Sequence, residues 1–297
     1  MRIVVTGRSG QVVRSLMAKA ALTPGFEIMP IGRPELDLVG TDDLSYVFAA
    51  RRPDLIVSAA AYTAVERAED EPDVAFAINA VGAGKVAEAA AAIGAPVIHL
   101  STDYVFSGDA GRPYHEEDAP APCNVYGRSK LAGELAVTAA NPRHVILRTA
   151  WVYSPFGSNF VKTMLRKALV SDTVSVVADQ FGNPTSAFDI ADGILALASQ
   201  LADVGPESRF GIFHLAGTGS TSWAAFATHV FEVSRGAGGP FASVREISTA
   251  EFPTRAPRPA NSSLNTDKFQ KTFGWRAPDW RRSTSEVVLS LIKEIDP

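Results

Sequence analysis

The fold is decided by the stretch Arg2-Ile3-Val4-Val5-Thr6-Gly7-Arg8-Ser9-Gly10-Gln11-Val12-Val13. Its β-branched apolar half predicts a strand, its glycines predict a turn, and the helix-compatible residues 14–20 follow. A strand, a glycine-rich turn and a helix in this order are the setting of a dinucleotide-binding turn. Gly7 would permit the tight turn, and Gly10 would let the backbone approach a pyrophosphate at the helix N-terminus.

One position departs from the three-glycine pattern of such turns. Val13 stands where the last glycine would be. Because that glycine serves helix packing more than phosphate contact, we expect the helix to lie slightly further out without loss of binding.

Further along the chain, apolar strand-like runs alternate with alanine-rich helix-like runs, as in residues 54–58, 74–92 and 96–101. This alternation predicts an α/β fold, a Rossmann-type doubly wound parallel sheet with helices on both faces. After residue 149 the pattern loosens and proline and glycine become frequent, which predicts a smaller C-terminal substrate-binding lobe. A ligand should lie between the lobes, outside the carboxyl ends of the strands.

We therefore expect two parts. Residues 1–150, together with 172–200, are predicted to form the dinucleotide-binding domain. Residues 151–171 and 201–297 are predicted to form the substrate-binding lobe.

Composition excludes several classes of protein. The chain has 297 residues, 46% of them hydrophobic, which is enough for a large core, and its net charge of -4 argues against nucleic-acid binding. We find neither an apolar run of the roughly 18 residues needed to span a bilayer nor a basic cluster for a membrane surface. The single Cys123 excludes an intramolecular disulfide and cysteine-type metal clusters, so a cytoplasmic location is expected.

A second informative region supplies a hydroxyl, a phenol and an ammonium. Thr102 ends an apolar run, and Tyr126 and Lys130 stand four residues apart, so on a helix they share one face. The ammonium is expected to pull the Tyr126 pKa down from its usual value near ~10, which makes Tyr126 a candidate general acid for carbonyl reduction. The alternative is an amphipathic helix with a snorkelling lysine. We interpret His99 and His144 as ordinary sheet residues.

These segments and several others resemble the extended short-chain dehydrogenase/reductases and, within them, the dTDP-4-dehydrorhamnose reductase family. The resemblance runs almost from end to end of the chain. The first and fourth matching segments mark the superfamily, and the others resemble this branch. The matching segments are residues 6–11, 59–66, 101–106, 124–130, 148–153, 179–185 and 258–264.

The resemblance implies roles for individual residues. The catalytic set would be Thr102, Tyr126 and Lys130. Cofactor contacts would come from the turns after the first and third strands and from the region after the second, namely Gly7, Gly10, Gln11, Val12, Arg33, Asp37, Leu38, Ala60, Ala61 and Tyr62, together with Tyr126 and Lys130. Substrate contacts would come from Thr102, Asp103, Trp151, Asn159, Arg258 and Asn261. No metal ligand is assigned.

Each substrate residue has a plainer interpretation. Asp103 could cap a turn, Trp151 could be a core residue, and the remaining polar residues could lie on the surface. We favour the binding roles because a deoxysugar methyl suits an aromatic wall and a nucleoside diphosphate needs cations and amide donors. Arg258 is the first choice for the diphosphate, since arginine offers bidentate geometry.

The cofactor prediction rests on the end of the second strand. Arg33 occupies the position where an acidic residue would favour NAD, and no acid occurs before Glu35. NADPH is therefore expected, with NADH as the alternative.

The activity that the resemblance implies is reduction of the C4 ketone of dTDP-4-dehydro-L-rhamnose to dTDP-L-rhamnose. Two alternatives stay open: a reductase of another nucleotide-linked 4-ketosugar, and a non-catalytic regulatory subunit. The expected partner is a nucleotide sugar, with neither nucleic acid nor membrane. A homodimer is left open, because related enzymes dimerise through magnesium and Ser15 stands where an acidic ligand would be expected.

Overall fold

The structure, a computed structural model, describes residues 1–40, 43–201 and 209–295. The strands in chain order are β1 (Arg2–Thr6), β2 (Glu27–Ile31), β3 (Leu55–Ser58), β4 (Val97–Thr102), β5 (His144–Thr149), β6 (Val152–Tyr153), β7 (Thr173–Val177), β8 (Phe181–Gly182), β9 (Thr185–Ser186), β10 (Gly211–His214), β11 (Thr221–Ser222) and β12 (Ser243–Ile247).

The helices run between these strands and after them. They are α1 (Gln11–Ala20), α2 (Leu44–Ala49), α3 (Val65–Ala68), α4 (Pro72–Phe76), α5 (Ala83–Ala92), α6 (Val125–Ala140), α7 (Phe160–Ala168), α8 (Ala187–Leu201), α9 (Trp223–Gly236), α10 (Asp267–Phe273) and α11 (Trp280–Ile295). A π-helical turn (Ala77–Gly82) joins α4 to α5, and short 3₁₀ turns follow β4 and β12.

The main sheet has six parallel strands in the order β2-β1-β3-β4-β5-β10. Side chains alternate across it, so that Ile3 and Val5 pack in one layer and Val4 packs in the other. Because both faces are covered, the strands can be apolar without interruption, and this is why β1 reads as a continuous hydrophobic run. The predicted doubly wound parallel sheet is confirmed.

One layer over the sheet is formed by α1, α8 and α10, and the other contains α2, α5 and α6. Ile190 and Ile194 of α8 and Phe273 of α10 belong to the same core as Ile3, although they lie far from it in sequence. In the opposite layer, Val86 of α5 and Val137 of α6 pack with Val4.

A second core lies beside the sheet. There β7 pairs in parallel with β12, and α7, α9 and α11 pack around them. Its largest fully buried side chains include Tyr153, Phe226 and Trp280.

Three segments pack in a different part of the molecule from the one that the predicted domain limits give them. Strand β10 hydrogen-bonds to β5 in the main sheet and α10 packs on that sheet, whereas β7 lies in the second core. The chain returns after residue 209 to the main sheet, where β10 adds an edge strand and α10 packs in the layer of α1 and α8. As a functional division, the two predicted parts stay a prediction.

One helical stretch, Pro72–Ala92, has the length and apolar composition of a membrane span, with a mean hydropathy of 1.3. Asp73, Lys85 and Glu88 interrupt this stretch, so it contains no continuous apolar run of that length. The share of this window buried inside the protein is 56%, and its residues Val86, Ala87 and Ala90 pack against the main sheet layer. A core helix of a globular protein has these same properties.

Candidate active site

A cleft of about 720 Å³ opens at the carboxyl ends of β1, β3 and β4. It is lined by the turn after β1, by Ala59, Ala60 and Ala61 after β3, and by residues at the ends of β4 and β5. Strand order reverses between β1 and β3, and such switch points are where α/β sheets bind ligands. The cleft lies between the two cores, which is where a ligand was predicted to bind.

The glycine-rich turn forms one wall of the cleft. Gly7 has φ +101°, a conformation that glycine adopts without strain. Gly10 is the N-cap of α1 and supplies no side-chain cap, so the positive end of α1 is open to an anion. Thr6 Oγ1 accepts hydrogen bonds from Ala59 N and Ala60 N, each 3.0 Å long, which ties the β3 turn to the β1 turn.

Val13, in place of the third glycine, is 2% exposed and packs in the core below the turn. The predicted outward displacement of α1 stays a prediction.

Tyr126 and Lys130 both line the cleft from the first turns of α6. Asn124 starts this helix, because its Oδ1 accepts from Gly127 N at 2.8 Å. A Cβ on Gly127 would lie 2.1 Å from the backbone oxygen of Tyr104. Only glycine permits this approach, and it presses the start of α6 against the segment that follows β4.

The pKa of Tyr126 shifts in the direction opposite to the prediction. Burial raises the pKa of Tyr126 to about 12, and its hydrogen bond with the Thr102 side chain acts in the opposite direction. The expected net lowering of the Tyr126 pKa is wrong, because burial is the larger effect. The Lys130 ammonium donates to the Leu100 carbonyl oxygen at 2.6 Å. Tyr126 is thus a neutral phenol at neutral pH and carries the proton that an acid must donate.

Thr102 and Asp103 meet at the end of β4. The Thr102 hydroxyl donates to Asp103 Oδ1 at 3.0 Å, while Asp103 Oδ2 is buried with no hydrogen-bond partner among the described residues. Burial raises the pKa of Asp103 to about 6, and the nearby side-chain hydroxyls of Ser262 and Thr102 offset part of that rise. Both residues line the cleft.

An aromatic pair comes from the second core. Trp151 lies at φ +45°, a strained conformation for a residue other than glycine. Its ring stacks on Trp223 with centroids 3.5 Å apart and planes 6° apart, and both tryptophans line the cleft. A Cβ on Gly182 would lie 2.4 Å from the Trp151 ring, so the absence of a side chain there leaves room for it.

Arg258 stands where the cleft meets a second cavity of about 390 Å³. Trp223 and Arg258 line both spaces. Arg258 Nη2 donates to Glu66 Oε1 at 2.7 Å, whereas its Nε is buried and without a partner in the part of the chain that the structure describes. The guanidinium therefore retains a buried donor where the two cavities join.

Other predicted substrate residues are engaged by the protein itself. Asn159 caps α7 through Lys162 N, and its amide nitrogen donates to Gln11 Oε1 at 2.9 Å and to the Ser154 carbonyl at 2.8 Å. Asn261 donates to the carbonyls of Ala110 and Arg112. Neither lines the cleft. Their substrate roles stay predictions that this packing does not favour.

Several predicted cofactor residues also lie away from the cleft lining. Tyr62 Oη donates to Glu71 at 2.6 Å, and Leu38 is buried in the core. The Arg33 side chain is 71% exposed and forms an ion pair with Asp37 at 2.9 Å. In contrast Gln11 and Val12 line the cleft, as predicted for the turn.

Comparison with known proteins identifies the family. A family model described as RmlD substrate binding domain matches residues 1–292. The chain belongs to the RmlD substrate binding domain family. Relatives of the chain include the dTDP-4-dehydrorhamnose reductase of Sinorhizobium fredii, 52% identical over 99% of each chain, and that of Escherichia coli K12, 44% identical over 98% of each. The 2.65 Å crystal structure of dTDP-4-dehydrorhamnose reductase from Bacillus anthracis in complex with NADP is 36% identical, with a TM-score of 0.89, and the match covers 97% of this chain and 99% of that one.

Two residues that line the cleft were not predicted from the sequence. Arg8 lies between the two glycines of the turn, lines the cleft and pairs with Glu35 at 2.9 Å. It could have been found, because a cation inside a phosphate-binding turn is itself a signal. Trp223 carries no such signal, since its stacking on Trp151 joins residues far apart in sequence.

Within residues 1–40, 43–201 and 209–295 there is no group of three or more His, Cys, Asp or Glu side chains that could hold a metal ion. The homodimer stays an open expectation.

We expect Asp103→Asn to raise the free energy of unfolding of the chain above pH 6. Since the folded pKa is about 6 and the unfolded value 3.8, the wild-type chain loses stability as pH rises from about 4 to about 6. The asparagine variant escapes this loss, which is worth about 1 to 3 kcal/mol at pH 7.5. Urea unfolding at pH 4 and pH 7.5 measures it. A difference between variant and wild type that is the same at both pH values would contradict the expectation.

Proposed function

We propose that the chain is an NADPH-dependent reductase that converts the C4 ketone of dTDP-4-dehydro-L-rhamnose to the alcohol of dTDP-L-rhamnose. The observation that carries this proposal is that Thr102, Tyr126 and Lys130 line the same cleft as the glycine-rich turn. The relatives that share the full length of the chain carry the name of this activity.

The residues present fit a dinucleotide. The uncapped N-terminus of α1 and the strain-free Gly7 turn form a cradle for a pyrophosphate. Arg8 adds a cation on the side that faces Glu35 after β2, where the adenosine ribose would lie. NADPH, when bound, supplies the hydride for the carbonyl carbon. NADH is the alternative donor.

Tyr126 is proposed as the proton donor to the carbonyl oxygen. Its phenol is neutral at working pH, so the proton is in place before reduction. The Thr102 hydroxyl, which donates to Asp103 Oδ1 in the structure, would turn to donate to the same carbonyl oxygen when substrate is bound. The Lys130 charge stabilises the phenolate that remains. Lys130 would also donate a hydrogen bond to the nicotinamide ribose.

The nucleotide end of the substrate is assigned to the junction with the second cavity. Arg258 offers its buried Nε there, and Trp151 with Trp223 forms an aromatic wall for the deoxysugar. The second cavity, lined by residues of α7 and β7, would take the nucleoside. A cytoplasmic site of action is proposed because nucleotide sugars are made from cytoplasmic nucleotides and the lone Cys123 forms no disulfide.

Arg258→Ala is expected to raise KM for the sugar nucleotide about 10- to 100-fold, since a diphosphate loses charge-assisted hydrogen bonds. The KM for NADPH should change less than about threefold. Initial-rate kinetics with each substrate varied in turn measures both values. Arg255→Ala is the matched control. Arg255 lies on the same segment as Arg258 and also forms an ion pair, with Asp70, but it lines neither cavity. Equal losses for both variants would remove Arg258 from the diphosphate.

Cofactor selectivity gives a separate prediction. Arg8→Ala should weaken NADPH about tenfold more than NADH, because a cation near the adenosine ribose contacts only the extra phosphate. Arg33→Ala tests the original assignment and should have the smaller effect, since Arg33 lies mostly in solvent and does not line the cleft. Fluorescence titration with both cofactors compares the two variants. A larger selectivity change for Arg33→Ala would restore the sequence-based assignment.

The activity itself is tested by giving the purified chain NADPH and dTDP-4-dehydro-L-rhamnose. Oxidation of NADPH with formation of dTDP-L-rhamnose supports the proposal. Turnover of only a different nucleotide-linked 4-ketosugar would select the related reductase, and cofactor binding without turnover of any ketosugar would favour a regulatory subunit. Absence of binding of either cofactor would defeat the proposal as a whole.

A further inference from the structure

Behind Lys130 lies a buried histidine that the reaction proposed above does not use. His99 of β4 is 1% exposed, and its Nε2 lies 3.3 Å from Lys130 Nζ. Its Nδ1 lies 3.2 Å from Ser58 Oγ on the adjacent strand β3, where the two residues are register partners. Lys130 thus has the cleft on one side and a chain of two buried polar residues on the other.

The direction of these hydrogen bonds follows from their chemistry. An ammonium can only donate, so His99 Nε2 must accept from Lys130. A neutral imidazole carries one hydrogen, which is then on Nδ1 and is donated to Ser58 Oγ. Leu100 O accepts a second hydrogen of Lys130 at 2.6 Å. Two of the three ammonium hydrogens are therefore committed to β4, and the third is left for the cleft that Lys130 lines.

The surrounding charges keep this arrangement in one state. Burial, and then the charge of Lys130, lower the pKa of His99 well below its usual 6.5, so the imidazole stays an acceptor at neutral pH. Burial lowers the pKa of Lys130 to about 8, and the charge of Glu134 opposes that shift.

Glu134 is the other charged group on this face of α6. It accepts from Ser101 and is held by Arg148 of β5 through two hydrogen bonds of 2.9 and 2.7 Å. Glu134 acts on the ammonium through its charge and is itself compensated by Arg148, whereas the direct contacts of the ammonium are the Leu100 carbonyl oxygen and His99 Nε2.

We propose that His99 is a positioning residue that holds the Lys130 ammonium in its charged form and aims its free hydrogen at the cofactor, with Ser58 fixing the tautomer. The proposal rests on the proposed function in that it takes Lys130 to contact the cofactor. Removing the acceptor should disfavour the charged form of Lys130, and removing Ser58 would let the imidazole hydrogen move to Nε2, where it would face the ammonium.

The test is the pH dependence of NADPH affinity, measured by fluorescence titration from pH 6.5 to 9.5. We expect His99→Leu to weaken binding about 5- to 10-fold at pH 8 and to move the fall in affinity about one pH unit lower, because a hydrogen bond to a charged group is lost. His99→Gln, whose amide can accept from Lys130 and donate to Ser58, should bind within about threefold of wild type. Ser58→Ala should act like His99→Leu but less strongly.

A double-mutant cycle with Lys130→Met separates positioning from general damage. If His99 acts through Lys130, His99→Leu has no further effect on affinity in the Lys130→Met chain. His144→Leu is the control, because His144 is also a buried β-strand histidine. It is the first residue of β5, at the end away from the cleft, and it contacts Asn141 O and the Thr138 hydroxyl instead of Lys130. It should leave the pH profile unchanged.

Several outcomes would overturn the proposal: an equal loss in both backgrounds, a loss in His99→Gln as large as in His99→Leu, or NADPH affinity that Lys130→Met does not alter. If His99→Leu does not fold, Ser58→Ala takes its place in the cycle with the same two possible results. Cofactor binding needs no ketosugar. A wild-type chain that binds NADPH with the expected pH dependence but reduces no ketosugar would defeat the proposed function and leave this proposal supported.

Discussion

Tyr126→Phe is expected to lower kcat by about two to four orders of magnitude while NADPH affinity changes less than about threefold. The substitution removes only the phenol oxygen, and the ring keeps its edge-on contact with Tyr104 at a centroid distance of 5.9 Å. The variant can thus still fold and bind, but no phenol is present to protonate the forming alkoxide. Steady-state turnover and cofactor titration together measure the two effects.

The neighbouring phenol provides the comparison. Tyr104 lines the same cleft, so Tyr104→Phe asks whether any phenol in this position would serve. We expect it to lower kcat less than about tenfold. If Tyr104→Phe were the more damaging of the two, or if Tyr126→Phe turned over like the wild type, the proton donor would have to be reassigned.

Lys130→Met has the second largest expected effect. Turnover should fall about 100-fold, because the phenolate loses its stabilising charge, and KM for NADPH should rise about tenfold because the ribose loses a donor. Methionine is similar in length to lysine and is uncharged, so it can occupy the buried position of Lys130 without placing a charge there. Unchanged cofactor affinity would remove Lys130 from the ribose.

The same variant should change how stability depends on pH. The folded pKa of Lys130 is about 8 and the unfolded value 10.5, so the unfolded chain binds more protons between these values. Wild-type stability therefore gains about 2 to 3 kcal/mol from this group as pH rises from about 8 to about 10.5, and Lys130→Met lacks that gain. Urea unfolding at pH 7.5 and pH 10 measures the difference. Parallel curves for the two proteins would show that the ammonium is better solvated than its surroundings indicate.

The fold and the core of the site could be predicted because their signals are local. The turn from Gly7 to Gly10 and the four-residue spacing of Tyr126 and Lys130 each lie within one short segment, where backbone geometry alone sets the relation between residues. Alternating apolar runs likewise report sheet burial directly. The structure contains the predicted turn, the predicted helical spacing and the predicted parallel sheet.

Features that depend on distant partners were less predictable. Asn159 and Asn261 have the chemistry of ligand contacts, but the folded chain uses their amides to hold Gln11, Ser154 and the loop at Ala110. Arg33 is the cation that follows β2 in the sequence, and only the folded chain shows that it pairs with Asp37 in solvent while Arg8 lines the cleft.

The sequence by itself thus determined the doubly wound sheet, the dinucleotide turn and the identity of the hydroxyl, phenol and ammonium. Only the tertiary structure decided their electrostatics. Tyr126 has a raised pKa because the fold buries it, and Lys130 is held by His99 and Leu100 because β4 lies beneath α6. Solvent exclusion and hydrogen-bond partners are properties of packed layers, and residues far apart in sequence create them.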